Sequence, residues 1–225
     1  MSVMELSRST QDFLKVVWAA NEWSDDPVTP SHVARRLGLK LSTVSGTLSR
    51  LVNDGLLERS ESGAIVLTGT GRAHALQMIR RHRLIETFLS ETLEFPLEKL
   101  HDEAEHLEHV ASDYLIERID ALLGHPTHDP HGDPIPDPDG VLADSSAHAL
   151  IGVAEGRYVV ARIDDSDPEL VRFFAEIGIV LGRRIEVFTG ARFSDTVTIV
   201  TQAGQSVPLG RRAAEAVWVR DAADD

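Results

Sequence analysis

A proline-rich segment constrains most strongly what this chain can fold into. Residues 124–146 hold five of the ten prolines of the 225-residue chain, together with many Asp, His and Gly residues. Proline removes a backbone donor and fixes its own φ angle, so this composition does not continue a helix or a central strand. The segment predicts a polar linker and a domain boundary. We expect His125, His128 and His131 to reflect linker polarity, with a flexible metal site as the alternative.

Apolar residues at helical spacing dominate the part of the chain before this segment. They predict three helices, over residues 10–22, 30–38 and 42–51. The last two, joined by a short turn, have the plan of a helix-turn-helix. Two strand patterns follow, Leu56–Arg59 and Ala64–Leu67, joined by a hairpin loop. These strands would form the wing of a winged helix-turn-helix.

The net charge of −14 is unevenly distributed. Residues 1–83 carry 11 Lys or Arg against 8 Asp or Glu, whereas the rest of the chain carries 11 against 28. Only the N-terminal third can therefore attract phosphate. Small hydroxyl and basic side chains near the third helix and the wing suit contacts with DNA phosphates and base edges. The candidates are Lys40, Ser42, Thr43, Ser45, Thr47, Arg50 and Arg59. The alternative is a three-helix bundle with polar, solvated faces.

Strand patterns dominate the part of the chain after the linker. They cover residues 158–163, 184–188, 196–200, 206–209 and 216–220, with one short helix over about residues 167–177. Strands of this length separated by turns predict a small antiparallel β-barrel. Between the wing and the linker, a long helix over about residues 70–91 and a helical segment over 97–123 are expected. The fold class is therefore mainly α with small β.

A stripe of potential metal ligands lies in the segment 97–123. On a helix, His101, Glu105, Glu108 and His109 span only about 100° of the surface, so two imidazoles and two carboxylates converge. Residues 82–86 place another His and Glu one helical turn apart. Because the chain has no cysteine, nitrogen and oxygen atoms would have to hold any metal. The pattern predicts a metal-binding face, and its alternative is a solvated, charged helix face.

The sequence offers little support for catalysis. A zinc protease would carry HExxH, and the nearest match, Glu105-His106-Leu-Glu-His109, has a different spacing. There is neither a glycine-rich phosphate loop nor a nucleophile elbow. We therefore expect a protein that is not an enzyme. No apolar run approaches the roughly 20 residues that span a bilayer, and no signal peptide is evident, so we expect a cytoplasmic protein that does not bind membranes.

Along nearly its full length the chain resembles the diphtheria toxin repressor family of metal-dependent transcription regulators. The segments that carry the resemblance are Thr10–Leu14, Leu67–Gly71, Arg81–Glu86, His101–His109 and Gly132–Pro136, together with the C-terminal barrel. The resemblance implies three domains. These are a winged helix-turn-helix DNA-binding domain over 1–73, a helical metal-binding and dimerisation domain over 74–140, and an SH3-like β-barrel over 147–223.

The family's properties imply a homodimer with two metal sites per subunit that binds palindromic operators when it is loaded with metal. Carried over by position, one site holds His82, Glu86 and His101. It would be completed from the SH3-like domain, where Asp164 or Asp165 is expected. The other site holds Asp12, Glu105, Glu108 and His109. Lys15 stands where a short, manganese-type member would supply a carboxylate, which departs from that member's paired-metal arrangement.

The choice of metal depends on two of these positions. Iron-responsive relatives have Met and Cys where this chain has Asp12 and Glu105. Carboxylates with imidazole suit Mn²⁺ better than a thiol-containing site does, although Fe²⁺, Co²⁺ and Cd²⁺ should still bind in vitro. The resemblance thus implies a manganese-dependent repressor that controls metal-ion homeostasis. An iron-dependent regulator of the same family is the alternative, and a metal-dependent hydrolase is a remote one.

Overall fold

The computed structural model describes residues 2–23, 26–143, 146–190 and 193–222, which divide into two compact units. The N-terminal unit takes residues up to His82, with Leu107–Arg118 and Pro136–Leu142. The C-terminal unit takes Arg83–His106, Ile119–Ile135 and the chain from Ala143 onward. The predicted domain ranges also include residues 1, 24, 25, 191, 192 and 223, which lie outside the described residues.

The N-terminal unit contains the predicted winged helix-turn-helix. Its elements are α1 (Arg8–Trp23), α2 (Pro30–Arg36), α3 (Leu41–Asn53), β1 (Leu57–Arg59) and β2 (Ile65–Leu67). Thr29 caps α2 by accepting a hydrogen bond from the backbone N–H of His32, and Gly38 adopts φ +64° in the turn that follows. The two strands pair in antiparallel register. The fold class predicted for this part of the chain is confirmed.

A single apolar core ties α1 to α3. Each helix contributes fully or almost fully buried side chains to it: Phe13, Leu14 and Val17 from α1, and Val44, Leu48 and Leu51 from α3. Burial of one such side chain stabilises the fold by about 1.5–3 kcal/mol. Arg50 on α3 also donates from Nη2 to Thr10 Oγ1 on α1 over 3.3 Å. The first helix and the candidate DNA-reading helix therefore form one packed body.

The long helix α4 (Gly69–Leu93) begins against the wing. Thr68 Oγ1 accepts a hydrogen bond from Gly71 N over 3.0 Å and so caps the helix start. A Cβ atom at Gly71 would lie 1.9 Å from the Leu56 carbonyl oxygen. Only glycine permits this close approach between the helix and the end of the wing.

The helical segment expected over residues 97–123 is two helices, α5 (Leu97–Leu107) and α6 (Asp113–Leu122). Glu108 and His109 therefore lie in the turn beyond α5, which corrects the prediction that one helix carries the whole stripe. The buried Arg81 guanidinium stabilises this turn, donating to the carbonyl oxygens of Glu108 and Ala111 and to the Asp113 carboxylate. Such a tertiary contact leaves no local signal in the sequence.

The proline-rich segment is not the polar linker that its composition predicts. His131 is only 2 % exposed, and Asp129, Asp133 and Ile135 are buried as well. Asp129 Oδ1 accepts hydrogen bonds from the backbone N–H groups of His131 and Asp133, which folds the segment into a tight loop. Residues 144 and 145 of the predicted linker lie outside the described residues.

The C-terminal unit contains a six-stranded antiparallel sheet with strand order β3-β8-β4-β5-β6-β7. Its strands are β3 (His148–Ala149), β4 (Gly156–Ile163), β5 (Arg184–Thr189), β6 (Thr196–Thr201), β7 (Ser206–Gly210) and β8 (Val217–Asp221). The predicted helix is α7 (Pro168–Ile177). The sequence did not predict β3 or the short helix α8 (Arg211–Glu215). Alternate residues of β6 point into the core, as strand periodicity requires. No helix in the described ranges is long and apolar enough to cross a membrane.

Candidate metal centre

Three predicted ligands meet within the N-terminal unit. Asp12 on α1 and Glu108 and His109 in the turn after α5 each offer a ligand atom within 4.8 Å of the other two. His109 Nε2 lies 3.0 Å from Asp12 Oδ1 and 3.4 Å from Glu108 Oε1. We call this group the Asp12 cluster. It brings together two carboxylates and one imidazole from segments that are almost 100 residues apart in sequence.

Gln11, which the sequence analysis did not single out, sets the orientation of His109. The Gln11 Nε2 amide donates to the carbonyl oxygens of Val3 (2.9 Å) and Leu6 (3.2 Å), which fixes which end of the amide is the oxygen. Gln11 Oε1 then accepts from His109 Nδ1 over 2.7 Å. With Nδ1 held by this oxygen, the ring turns Nε2 toward the two carboxylates, and in the neutral ring that nitrogen would offer its lone pair to a metal. This is the arrangement that a metal-binding histidine requires.

Glu108 is the most buried member of the cluster, with a fully buried side chain. Its Oε1 accepts a hydrogen bond from Lys15 Nζ (2.7 Å), and its Oε2 is hydrogen-bonded to His82 Nδ1 (2.6 Å). Burial alone would raise the pKa of Glu108, but His82 and Lys15 outweigh it and lower the pKa to about 2. Glu108 is thus a carboxylate at any physiological pH. The contact with His82 was not expected, since the resemblance places His82 in the other site.

A second group of ligands meets within the C-terminal unit. Glu86 on α4, His101 on α5 and Asp165 just after β4 each offer a ligand atom within 4.8 Å of the others. His101 Nδ1 and Asp165 Oδ2 are 2.9 Å apart. The neighbouring Asp164 instead accepts a hydrogen bond from the Ser166 backbone N–H over 2.9 Å. Of the two predicted aspartates, Asp165 therefore lies at this group, which we call the His101 cluster.

Two further predicted ligands lie on the helices that carry these clusters. His82 is one helical turn before Glu86 on α4, the spacing that places both side chains on one helix face. Glu105 lies on α5, where its Oε1 is 3.9 Å from His101 Nε2. In sequence Glu105 precedes Glu108 by three residues.

The predicted DNA-contacting residues lie at the surface of the N-terminal unit. Thr47 is half-buried, and the remaining six are exposed: Lys40, Ser42, Thr43, Ser45, Arg50 and Arg59. Some already have intramolecular partners. Ser45 Oγ donates to the Leu41 carbonyl oxygen, and Arg50 lies 3.6 Å from Asp54 Oδ2 in addition to its bond with Thr10. Ser42 and Thr43, in the first turn of α3, are the exposed hydroxyls that such a helix would present to a groove.

The donor sets of both clusters fit a divalent first-row metal. Each combines carboxylate oxygens with imidazole nitrogen, and the chain has no thiolate to offer. In the Asp12 cluster the imidazole turns Nε2, the nitrogen that the neutral ring would offer to a metal, toward the carboxylates. A winged helix-turn-helix whose first helix carries a candidate ligand of such a cluster points to a class of protein: a DNA-binding protein that responds to a metal.

Comparison with known proteins agrees with this class. Residues 5–65 match the family model "Iron dependent repressor, N-terminal DNA binding domain", 68–137 match "Iron dependent repressor, metal binding and dimerisation domain", and 153–221 match "FeoA domain". The iron-dependent repressor IdeR of Mycobacterium leprae is 31% identical over 96% of this chain and 98% of its own length.

Solved structures are similar over the same span. The structure of a manganese-dependent transcriptional repressor in complex with manganese is 46% identical in sequence, with a TM-score of 0.87. The similarity covers 95% of this chain and 100% of the chain in that structure. The manganese regulator SloR is 26% identical with a TM-score of 0.83, over 95% and 98% of the two chains. The chain belongs to the diphtheria toxin repressor family of metal-dependent transcriptional repressors. Its relatives are repressors, which are not enzymes.

Proposed function

We propose that this protein is a manganese-responsive repressor that binds palindromic operator DNA as a homodimer. The observation that carries the proposal is the Asp12 cluster, which contains only carboxylate and imidazole donors. The domains would be those predicted, with DNA binding over 1–73, metal binding and dimerisation over 74–140, and an SH3-like domain over 147–223.

The choice of Mn²⁺ follows from the side chains at two positions. Asp12 and Glu105 supply hard carboxylate oxygens, which Mn²⁺ accepts readily in a roughly octahedral shell. A softer donor at either position would favour Fe²⁺. The similarity to a manganese-dependent repressor structure at 46% identity supports the same choice.

The Asp12 cluster can couple metal binding to the DNA-binding helices because its members lie on different elements. Asp12 belongs to α1, and Glu108 and His109 belong to the turn that Arg81 stabilises. When bound, a divalent cation would supply the positive charge that these ligands share. Without that charge, Asp12 has no cation to link it to Glu108 and His109, and α1 is held to the turn by the Lys15–Glu108 ion pair and the Gln11–His109 hydrogen bond.

The position of α1 matters for DNA binding because α3 is packed against α1 and moves with it. The two helices share one apolar core, and the Arg50–Thr10 hydrogen bond joins the first turn of α1 to α3. A restraint on Asp12 therefore also restrains the helix that would enter the major groove. In a dimer, this would favour the spacing of two recognition helices about one helical turn, or a multiple of it, apart.

We propose that the second metal is held by the His101 cluster together with His82. Asp165 would be the ligand from the SH3-like domain, because its Oδ2 lies 2.9 Å from His101 Nδ1. Asp164 instead accepts a hydrogen bond from the backbone N–H of Ser166. His82 is included because it is one turn from Glu86 on α4. Glu105 would join the Asp12 cluster, as its position three residues before Glu108 allows.

The homodimer would form through exposed apolar side chains in the turn after α5 and at the start of α6. Val110 is 75 % exposed and Tyr114 is 72 % exposed, and Leu115 on the same helix is exposed too. Large apolar side chains grouped at a surface mark an interaction site. DNA contacts would come from Lys40, Ser42, Thr43, Ser45, Thr47, Arg50 and Arg59.

The proposal is tested by measuring DNA binding with no metal and with Mn²⁺, anaerobic Fe²⁺ and Zn²⁺, while bound metal is counted per subunit. The probe is a duplex selected from a random-sequence library by the Mn²⁺-loaded protein. We expect Mn²⁺ to increase affinity at least about 10-fold, within the usual range of coupling between two sites. Equal binding with and without Mn²⁺ would contradict the proposal.

Iron is the second candidate effector, and the match to the iron-dependent repressor of M. leprae supports it. The same titration separates the two effectors. If anaerobic Fe²⁺ increases DNA affinity at lower free concentrations than Mn²⁺ does, the protein is an iron-dependent regulator and the choice of manganese is wrong.

A further inference from the structure

Leu41 is an exposed leucine at the start of the helix that would enter the major groove. It is the first residue of α3, and it is 51 % exposed. A single leucine at a protein surface is common and by itself indicates no contact. The position of this one is informative, because the N-terminal residues of a recognition helix are the ones that meet base edges.

The outward face of α3 offers few hydrogen-bond donors to a base. Ser42, Gly46 and Ser49 lie on the side of the helix opposite its buried residues. Gly46 has no side chain, and a Cβ added there would meet nothing within 4 Å. Ser49 Oγ donates to the Ser45 carbonyl oxygen over 3.0 Å, and Ser45 Oγ donates to the Leu41 carbonyl oxygen over 2.9 Å. These two hydroxyl protons are therefore used within the helix.

The arginines of this surface already have partners. Arg50 lies 3.6 Å from Asp54 Oδ2 and donates to Thr10 Oγ1 over 3.3 Å. Arg59 donates to the Gly63 carbonyl oxygen over 3.3 Å. The commonest specific contact in a major groove is a bidentate bond from such a group to guanine, which would require these partners to be given up. Apart from two hydroxyls in the first turn of α3, the surface is thus poorly equipped to read bases by hydrogen bonds.

An apolar side chain can still distinguish one base. In the major groove only thymine presents a methyl group, at C5, and apolar side chains recognise thymine through it. Contact between this methyl group and Leu41 would remove apolar surface of both from water. The exposed Lys40 directly precedes Leu41, and its ammonium can pair with a phosphate and so fix the position of the helix start on the duplex.

We propose that Leu41 is a base-reading residue, which selects thymine at one position of each operator half-site by contact with the thymine methyl group. The inference rests on the proposed function and deepens it, because it names a base that the first residue of α3 recognises. It is independent of which metal is the effector.

The experiment uses the full-length, Mn²⁺-loaded protein and the selected duplex. Each thymine is replaced in turn, in both half-sites together, by deoxyuridine, which removes only the methyl group. We expect one position at which the wild type loses affinity about fourfold for each half-site, as the burial of one methyl group implies. Leu41→Ala should bind the unmodified duplex more weakly than the wild type and should not respond to deoxyuridine at that position.

Two variants serve as matched controls. Val52 is 39 % exposed and lies on the same side of α3 as Leu41, about 16 Å further along the helix. Thr43→Ser removes the methyl group of a neighbour of Leu41 and keeps the hydroxyl. Val52→Ala and Thr43→Ser should both keep the wild-type response to deoxyuridine. Because Leu41 is exposed, Leu41→Ala should melt close to the wild-type temperature, which thermal denaturation checks.

Two results overturn the inference while leaving the proposed function intact. One is a wild type that binds the duplex in a Mn²⁺-dependent manner but responds to deoxyuridine at no position. The other is a Leu41→Ala variant that responds to every deoxyuridine as the wild type does. If Mn²⁺ does not stimulate binding of the unmodified duplex by the wild type, the proposed function is wrong and this inference is overturned with it.

Discussion

Replacement of Gln11 by Met tests whether a residue outside the metal shell prepares His109 for coordination. Methionine has nearly the same length but removes three hydrogen bonds, one to His109 Nδ1 (2.7 Å) and two to the carbonyl oxygens of Val3 (2.9 Å) and Leu6 (3.2 Å). At about 0.5–1.5 kcal/mol each, their loss should reduce the free energy of unfolding by about 1.5–4.5 kcal/mol. Gln11 is 2 % exposed, so water cannot readily replace these bonds.

The effect on metal affinity is distinct from the effect on stability. Without its acceptor, His109 can rotate or exchange its proton between the two nitrogens, and Nε2 is no longer held toward Asp12 and Glu108. Loss of such a supporting hydrogen bond typically weakens metal binding by about 10–100-fold. We therefore expect the Mn²⁺ affinity of Gln11→Met to fall by that factor, as measured by competition with a chelating indicator.

Gln77→Met is the matched control for this prediction. Gln77 accepts one hydrogen bond from the backbone N–H of Val3 over 3.1 Å, and no hydrogen bond among the described residues joins it to the Asp12 cluster. Only stability should therefore fall, by about 1 kcal/mol. Chemical denaturation of the metal-free proteins gives the stability change. If Gln11→Met loses stability but keeps wild-type Mn²⁺ affinity, Gln11 only anchors the N-terminal segment and the reasoning about His109 is refuted.

Three more predictions concern other residues of the same unit or the choice of metal. Lys15→Met should raise Mn²⁺ affinity, because an ammonium 2.7 Å from Glu108 competes with the metal for that carboxylate. Two unit charges about 4 Å apart interact with about 4 kcal/mol near a protein surface, so we expect a gain in affinity of about tenfold. A weaker affinity in the indicator titration would contradict this prediction. Gly71→Ala should destabilise the protein by about 1–3 kcal/mol in chemical denaturation, whereas Gly69→Ala, where a Cβ meets nothing within 4 Å, should not. Glu105→Cys should shift the metal response of DNA binding from Mn²⁺ toward anaerobic Fe²⁺, and an unaltered preference would count against the role of Glu105.

The elements that local pattern defines could be predicted from the sequence. Apolar periodicity identified the helices of the winged helix-turn-helix, and alternation identified the strands β4 to β8. The candidate metal ligands could also be selected, because His and Glu at helical spacing place imidazole and carboxylate groups on one face of a helix. These features depend on residues within one or two helical turns of each other.

The features that were missed depend on contacts between distant residues. The end of α5 at Leu107 is stabilised by Arg81, which lies 26 residues earlier on α4. The loop around His131 is buried because Ile163 and Gly132 bind it closely to β4, although its composition is that of a linker. Gln11 becomes significant only when α1 meets the turn after α5. A single sequence contains no local signal for any of these contacts.

The comparison of Asp12→Ala with the wild type tests the central claim most directly, namely that a metal site joining α1 to the turn after α5 controls DNA binding. Affinity for the selected duplex is measured with and without Mn²⁺, with Glu5→Ala as a control that removes an exposed carboxylate from the same N-terminal segment. We predict that Asp12→Ala folds normally but loses the increase in DNA affinity caused by Mn²⁺, while Glu5→Ala keeps it. If Asp12→Ala responds to Mn²⁺ as the wild type does, Asp12 does not couple the metal to the DNA-binding helices and the account is wrong.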